Sequence, residues 1–208
     1  MSLQEHLDAI FDADRALRKA EADLLAGPPA ELAKLLASAV DSAKREKRPA
    51  EAELRMIRLS DLCAQVPGPE MADALLALLD EDGPSVRVQA AEALVDVAFD
   101  RYAEVARAIE RALERGDAGP KMRELPWVIV EVAEPSAVPL LKRFLAHADA
   151  EIAASAVEAA ASLGDPAILP ALAKLKDDPR MVTVENGDEE LEASLGELAS
   201  EALVALGG

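Results

Sequence analysis

Aromatic side chains are nearly absent from this sequence: three Phe, one Trp and one Tyr in 208 residues. The strands of sandwiches and barrels are rich in aromatic and β-branched residues. A chain with so few rings and forty-four alanines is not built that way. Cysteine is scarcer still. Cys63 alone rules out an internal disulfide and leaves no thiolate cluster for a metal. No apolar run is long enough for a membrane span, and the first residues lack the pattern of a signal or transit peptide. The expectation is a cytoplasmic protein with no membrane partner.

Positive charge is also in short supply, with 22 Lys and Arg against 40 Asp and Glu, a net −18. The excess is uneven. Residues 1–66 carry 10 basic and 12 acidic residues, while residues 67–208 carry 12 and 28. A field of that sign repels phosphate backbones and anionic lipid, so nucleic acid is not an expected partner. It favours solubility and basic partners.

Catalytic constellations are missing. His6 and His147 are the only histidines. A nucleophilic triad needs a base within reach of Ser, Thr or Cys, and no second histidine stands at i,i+4 for a metal. His147 is expected at a helix C-terminus, where a cation complements the dipole. Cys63 has apolar neighbours at helical spacing, Leu59 and Leu62, and is expected buried and inert. No phosphate loop or dinucleotide fingerprint is present. The acidic run 185–190 lacks the alternating spacing of a calcium loop and reads as a solvated hairpin. No cofactor, metal site or catalytic residue is expected.

What is abundant is punctuation. Thirteen prolines and ten glycines divide the chain into helix-length segments, each with apolar residues at three-and-four spacing. Leu3, Leu7, Ile10, Leu17 and Leu24 form the first stripe, opened by Ser2 and Glu5 in capping-box spacing. First-layer helices are expected near 3–25, 50–65, 85–98, 121–133, 150–163 and 195–206. Second-layer helices are expected near 30–45, 70–80, 101–115, 136–147 and 167–176. One segment departs from this plan. Val182 and Val184 alternate with polar residues before Asn186-Gly187, which predicts a β-hairpin inserted at 181–192. Ser194 with Glu197 has the form of a capping box for the last helix. Trp127 follows Pro126 in a nearly all-apolar turn, and is expected in the core at a proline kink.

The helix pairs repeat. Glu134-Pro-Ser-Ala-Val-Pro139 and Asp165-Pro-Ala-Ile-Leu-Pro170 match at a shift of 31 residues, and Leu54-Arg55 and Val86-Arg87 at 32. A two-helix period of that length predicts an all-α α-solenoid. The segment Asp82-Gly-Pro-Ser-Val86-Arg87-Val-Gln-Ala90-Ala91-Glu-Ala93-Leu94 resembles the first helix of a HEAT repeat. The type is the short bacterial one also found in phycobilin-lyase-like proteins. The resemblance covers roughly residues 50–208, with 1–48 a diverged N-terminal pair. It implies a single domain over 1–208 with five to six helix pairs, the hairpin insertion at 181–192 and a C-terminal capping helix at 195–206. Iron-binding HEAT-repeat enzymes of the deoxyhypusine hydroxylase branch use His-Glu dipeptides, and this chain has none.

Eight of the twelve basic residues in 67–208 fall on the expected second-layer helices: Arg101, Arg107, Arg111, Arg115, Lys142, Arg143, Lys174 and Lys176. Repeat alignment stacks Arg107, Arg111, Arg143 and Lys174 in successive units. The HEAT resemblance places second helices on the concave surface, which makes these four a candidate partner-binding ladder. The alternative is a solvated face with Arg107 and Arg111 paired to Glu104, Glu110 or Glu114. The expected function is a non-catalytic protein–protein interaction scaffold or adaptor that grips a partner segment, in its sharper form an acidic one. A different reading is an accessory subunit resembling the phycobilin lyases, acting on a tetrapyrrole-carrying protein. A HEAT-like DNA glycosylase is disfavoured by the charge. Oligomeric state and the partner's identity are not set by these features.

Overall fold

Proline decides where five of the helices begin. The computed structural model describes residues 2–132, 134–186 and 189–207. Its helices are α1 (Leu3–Leu25), α2 (Pro29–Lys44), α3 (Pro49–Gln65), α4 (Pro69–Leu79), α5 (Pro84–Arg115), α6 (Pro120–Val132), α7 (Ala137–Leu145) and α8 (Ala150–Leu163). A single α turn, α9 (Leu169–Leu172), follows, and then β1 (Met181–Asn186), β2 (Glu189–Ser194) and α10 (Leu195–Ala205). Proline opens α2 to α6, where its missing amide had no helical partner. Gly116 and Gly164 end α5 and α8 at φ 68° and 70°, the left-handed region that a Cβ disfavours. The expected capping boxes of α1 (Ser2, Glu5) and α10 (Ser194, Glu197) are both formed.

The helices stack in two layers as an α-solenoid. α3, the first arm of α5, α6, α8 and α10 adjoin in one layer, and α2, α4, the second arm of α5, α7 and α9 in the other. One continuous buried cluster runs from Leu32 to Ala202. α8 is buried almost all round, with Ile152, Ala153, Ala154, Ala156, Val157, Ala159 and Ala160 inside. It touches α6, α7, α10 and β1. Small side chains there let four neighbours approach one helix.

The helices expected at 85–98 and 101–115 are both formed, joined across a kink at Arg101 (φ −142°, ψ 47°) within α5. Two sequence expectations change. The helix expected at 167–176 is α9 flanked by 3₁₀ turns at Pro166–Ile168 and Ala173–Leu175. Pro166 and Pro170, four residues apart, remove two amides from one short run. The stripe on α1 has no cover: none of its residues is buried, and only Leu24 and Leu25 at its end pack against the core.

The hairpin forms as expected, antiparallel from Met181 opposite Ser194 to Asn186 opposite Glu189. Gly187 of the expected turn lies outside the described residues. Val182 packs on Ala153, Ala154 and Leu195, so the hairpin covers one side of α8. Arg180 ties its base down. Its guanidinium donates to the carbonyls of His147 (2.8 Å) and Ala148 (2.9 Å) at the end of α7, and to the Asp178 carboxylate at 2.8–3.1 Å.

Among the described glycines, Gly196 makes the closest approach. A Cβ there would stand 2.6 Å from the carbonyl oxygen of Lys176 and 3.2 Å from two backbone atoms of Asp178. Gly196→Ala is therefore expected to cost about 1–3 kcal/mol in denaturant unfolding. Gly83→Ala, whose Cβ meets only Val86 at 3.7 Å, should stay within about 0.5 kcal/mol of the wild type. Arg180 also holds the Asp178 carboxyl below its ordinary range by hydrogen bonding. The stability this confers is fully present above the unfolded carboxylate value of about 3.9 and is lost as pH falls through the lower folded one. Asp178→Asn should be less stable at neutral pH and lose less stability on acidification, measured by urea unfolding at a series of pH values.

Candidate functional site

Where each side chain points follows from the helical period. On α6, Met122, Leu125, Pro126, Val128 and Ile129 are buried. Residues 124, 127 and 131 lie at three-and-four spacing on the opposite side. Trp127 is consequently 40% exposed, against the expectation of a core residue. The helix is continuous through Pro126, and it is Pro126 that turns inward. Trp127 and Val128 form one wall of a groove of about 460 Å³ between α6 and the first arm of α5. Ala91 and Val95 form the other wall, and Glu92, Asp96, Glu124 and Glu131 rim the groove. None of these four carboxylates has an ion-pair partner among the described residues. Val88 and Phe99 extend the exposed apolar row of α5.

The acidic character continues along the same layer. Glu158 of α8, with Glu197 and Glu201 of α10, lines a groove of about 700 Å³ that Leu191 of the hairpin closes on one side. Partial burial, and secondarily Glu151, hold the Glu158 carboxyl above its ordinary range. Acidic side chains thus line two outward grooves of the first layer.

Several of the scarce cations are occupied at the seams between units. Arg87, the arginine of the Val-Arg motif, donates to the carbonyls of Glu81 (3.1 Å) and Asp82 (2.8 Å) beyond the end of α4. Arg101 donates to the Ala64 carbonyl near the end of α3 at 2.6 Å. Lys44 reaches the Ala77 carbonyl and Glu81, and Lys121 bridges Asp80 and Asp117. The four expected ladder residues do not share one state. Arg111 is paired to Asp73 of α4 at 2.8 Å, which is neither of the anticipated arrangements. Arg107, Arg143 and Lys174 are exposed and make no ion pair among the described residues. Lys174 shares a groove of about 270 Å³ with Lys142, not Arg143, over Leu145, Pro170 and Leu175.

The residues examined for chemistry are accounted for structurally. Cys63 is fully buried and burial pushes its thiol up to about 12, so no thiolate is available. His147 accepts from the Asp149 amide through Nδ1 and sits 3.1 Å from the Asp117 carbonyl through Nε2. With Nδ1 accepting, Nε2 is the ring nitrogen that can donate to the Asp117 carbonyl. Among the described residues, no three His, Cys, Asp or Glu side chains are placed to hold a metal ion. Among them too, no helix is long and apolar enough to cross a membrane.

Comparison with known proteins gives fold-level likeness alone. No family model and no curated protein matches the chain. Among solved structures, it is similar to a designed armadillo repeat protein in complex with the peptide (KR)4. Identity is 18% over 93% of this chain and 92% of that one, with a TM-score of 0.39. A second likeness is to an engineered protein, at 16% identity over 90% and 87% of the two chains and a TM-score of 0.37.

Proposed function

We propose that this chain is a non-catalytic scaffold of HEAT-like repeats, of the short bacterial type, that holds an extended cationic segment of another protein on its first-layer face. One observation carries this reading: an exposed tryptophan set among four unpaired carboxylates in the α5–α6 groove. The indole face attracts a Lys or Arg head group, and the apolar walls accept its methylene stem. Carboxylates spaced along the rim then select for charge and speed encounter. The sign of the expected partner is thereby the reverse of the acidic segment that the second-layer ladder suggested. A tetrapyrrole-directed accessory role is less favoured, because propionate side chains would meet a rim of like charge. We read 1–208 as one domain working in the cytoplasm.

Trp127 is the sole tryptophan, so its fluorescence reports on this groove directly. Titration with a Lys/Arg-rich peptide at low salt should shift or quench the emission, with affinity falling as salt rises. Trp127→Ala should weaken binding roughly three- to thirtyfold, followed by a label on the peptide. Charge reversal at Glu92 and Glu131 should weaken it further and flatten the salt dependence. An unchanged emission at low salt, or unchanged affinity in the folded charge variant, would count against the reading.

The ladder supports a second reading because Arg107, Arg143 and Lys174 carry exposed, unpaired charge on the other layer. An acidic segment bound there should be lost by the Arg107→Glu, Arg143→Glu, Lys174→Glu variant with helical circular dichroism intact. A Lys/Arg-rich peptide should bind that variant as well as it binds the wild type.

A further inference from the structure

The acid-rimmed groove at Trp127 recurs two helices further along the same layer, and the buried positions show it. Met122, Leu125, Pro126, Val128 and Ile129 of α6 fall on Ala153, Ala156, Val157, Ala159 and Ala160 of α8 at a shift of 31, and all ten are buried. Ile152, Ala156 and Ala159 of α8 fall in turn on Leu195, Ala199 and Ala202 of α10 at a shift of 43. In this register Trp127, Glu158 and Glu201 hold one helical position in three successive helices. The walls agree. Leu198, Glu201, Ala202 and Ala205 of α10 line the second groove from the same four positions that Glu124, Trp127, Val128 and Glu131 of α6 use in the first. Both grooves therefore open on the same side of the layer.

Charge selects what the second groove takes. Val157, Ala161, Leu198 and Ala202 give it an apolar floor, and Glu158, Glu192, Glu197 and Glu201 surround that floor. No Lys or Arg lines it, and α8 and α10 contain none. Glu197 is held by the cap at Ser194. Glu158, Glu192 and Glu201 have no ion-pair partner among the described residues. An apolar floor beneath unbalanced carboxylates takes the methylene stem and the head group of a Lys or Arg, and repels an acidic side chain. At the seam between the two grooves the Ser155 hydroxyl of α8 donates to the Arg123 carbonyl of α6, which ties those helices side by side.

Helix packing sets the distance between the grooves. Packed helices lie about 8–10 Å apart, so grooves two helices apart are separated by about 16–20 Å. An extended chain advances about 3.3 Å per residue and turns alternate side chains to the same side, so anchors about six residues apart span that distance facing the layer. Building on the reading of the α5–α6 groove, we infer that the partner segment carries two cationic anchors about six residues apart. One sits at Trp127 and the other in the α8–α10 groove between Glu158 and Glu201. Filling either groove holds the second anchor beside its own, so the two act as one bivalent site. An unbroken basic run of four residues is too short to reach both.

Labelled peptides of equal charge test the spacing on the full chain. One carries four contiguous arginines, and another carries two arginine pairs with centres about six residues apart in a Gly-Ser background. A third carries a single pair. At physiological ionic strength the spaced peptide should bind about tenfold or more tighter than the contiguous one. Glu158→Gln with Glu201→Gln, helical circular dichroism unchanged, should reduce the spaced peptide to the affinity of the single pair. The Trp127 emission change caused by the single pair should survive in that variant, because charges two helices away are screened. Equal affinity for spaced and contiguous peptides, or undiminished binding of the spaced one by the variant, overturns the two-anchor arrangement and leaves the Trp127 reading standing. A wild-type Trp127 emission that no peptide moves overturns both.

Discussion

No helix pair in this chain can bury its own apolar face, and every other feature follows from that constraint. Each pair presents one side to the unit before it and one to the unit after, so core and interface are the same surface. Leucine supplies most of the buried bulk, while alanine sets how near the backbones come. Ala90, Ala108, Ala112, Ala153, Ala156 and Ala160 are all fully buried between neighbours. Close-packed interiors do not absorb an added methyl group without strain. The alanine content is thus a geometric requirement of the stack rather than a helix-forming filler.

Stacking also creates a problem of polarity, because every unit ends a helix against its neighbour and leaves carbonyls without partners. Arg101 and Lys44 answer it by donating across the seams to the last turns of α3 and α4, and Arg87 and Arg180 donate to carbonyls of the loops that follow α4 and α7. These donors are drawn from a small basic complement. The acidic first-layer face therefore arises from two facts together: few cations, and seams that engage several of them. The groove at Trp127 inherits its unbalanced charge from how the repeats are joined.

Much of this was legible because backbone chemistry marks it locally. Proline at the first helical turn, glycine past the last, and capping boxes at Ser2 and Ser194 are short-range signals, and the structure honours them. The hairpin was equally local, resting on alternation at Val182 and Val184. What escaped depends on neighbours distant in sequence. An apolar turn around Trp127 looks like core until Pro126 is seen to take the inward position. Periodicity on α1 reveals which side is apolar but not whether the chain covers it. Arg111 was placed in the ladder by period, but Asp73, 38 residues away, claims it.

The seam contacts have a further consequence for how the chain reaches its fold. Side-chain hydrogen bonds between units join residues about one repeat apart, 28 to 41 positions in sequence. Among the described residues, none ties the first unit to the last. A chain organised this way closes only short loops and needs no distant ends to meet, which places it among low-contact-order proteins that fold quickly. Order can start at any well-packed unit and spread in both directions. α8 packs against four neighbouring elements, whereas α1 has no buried residue.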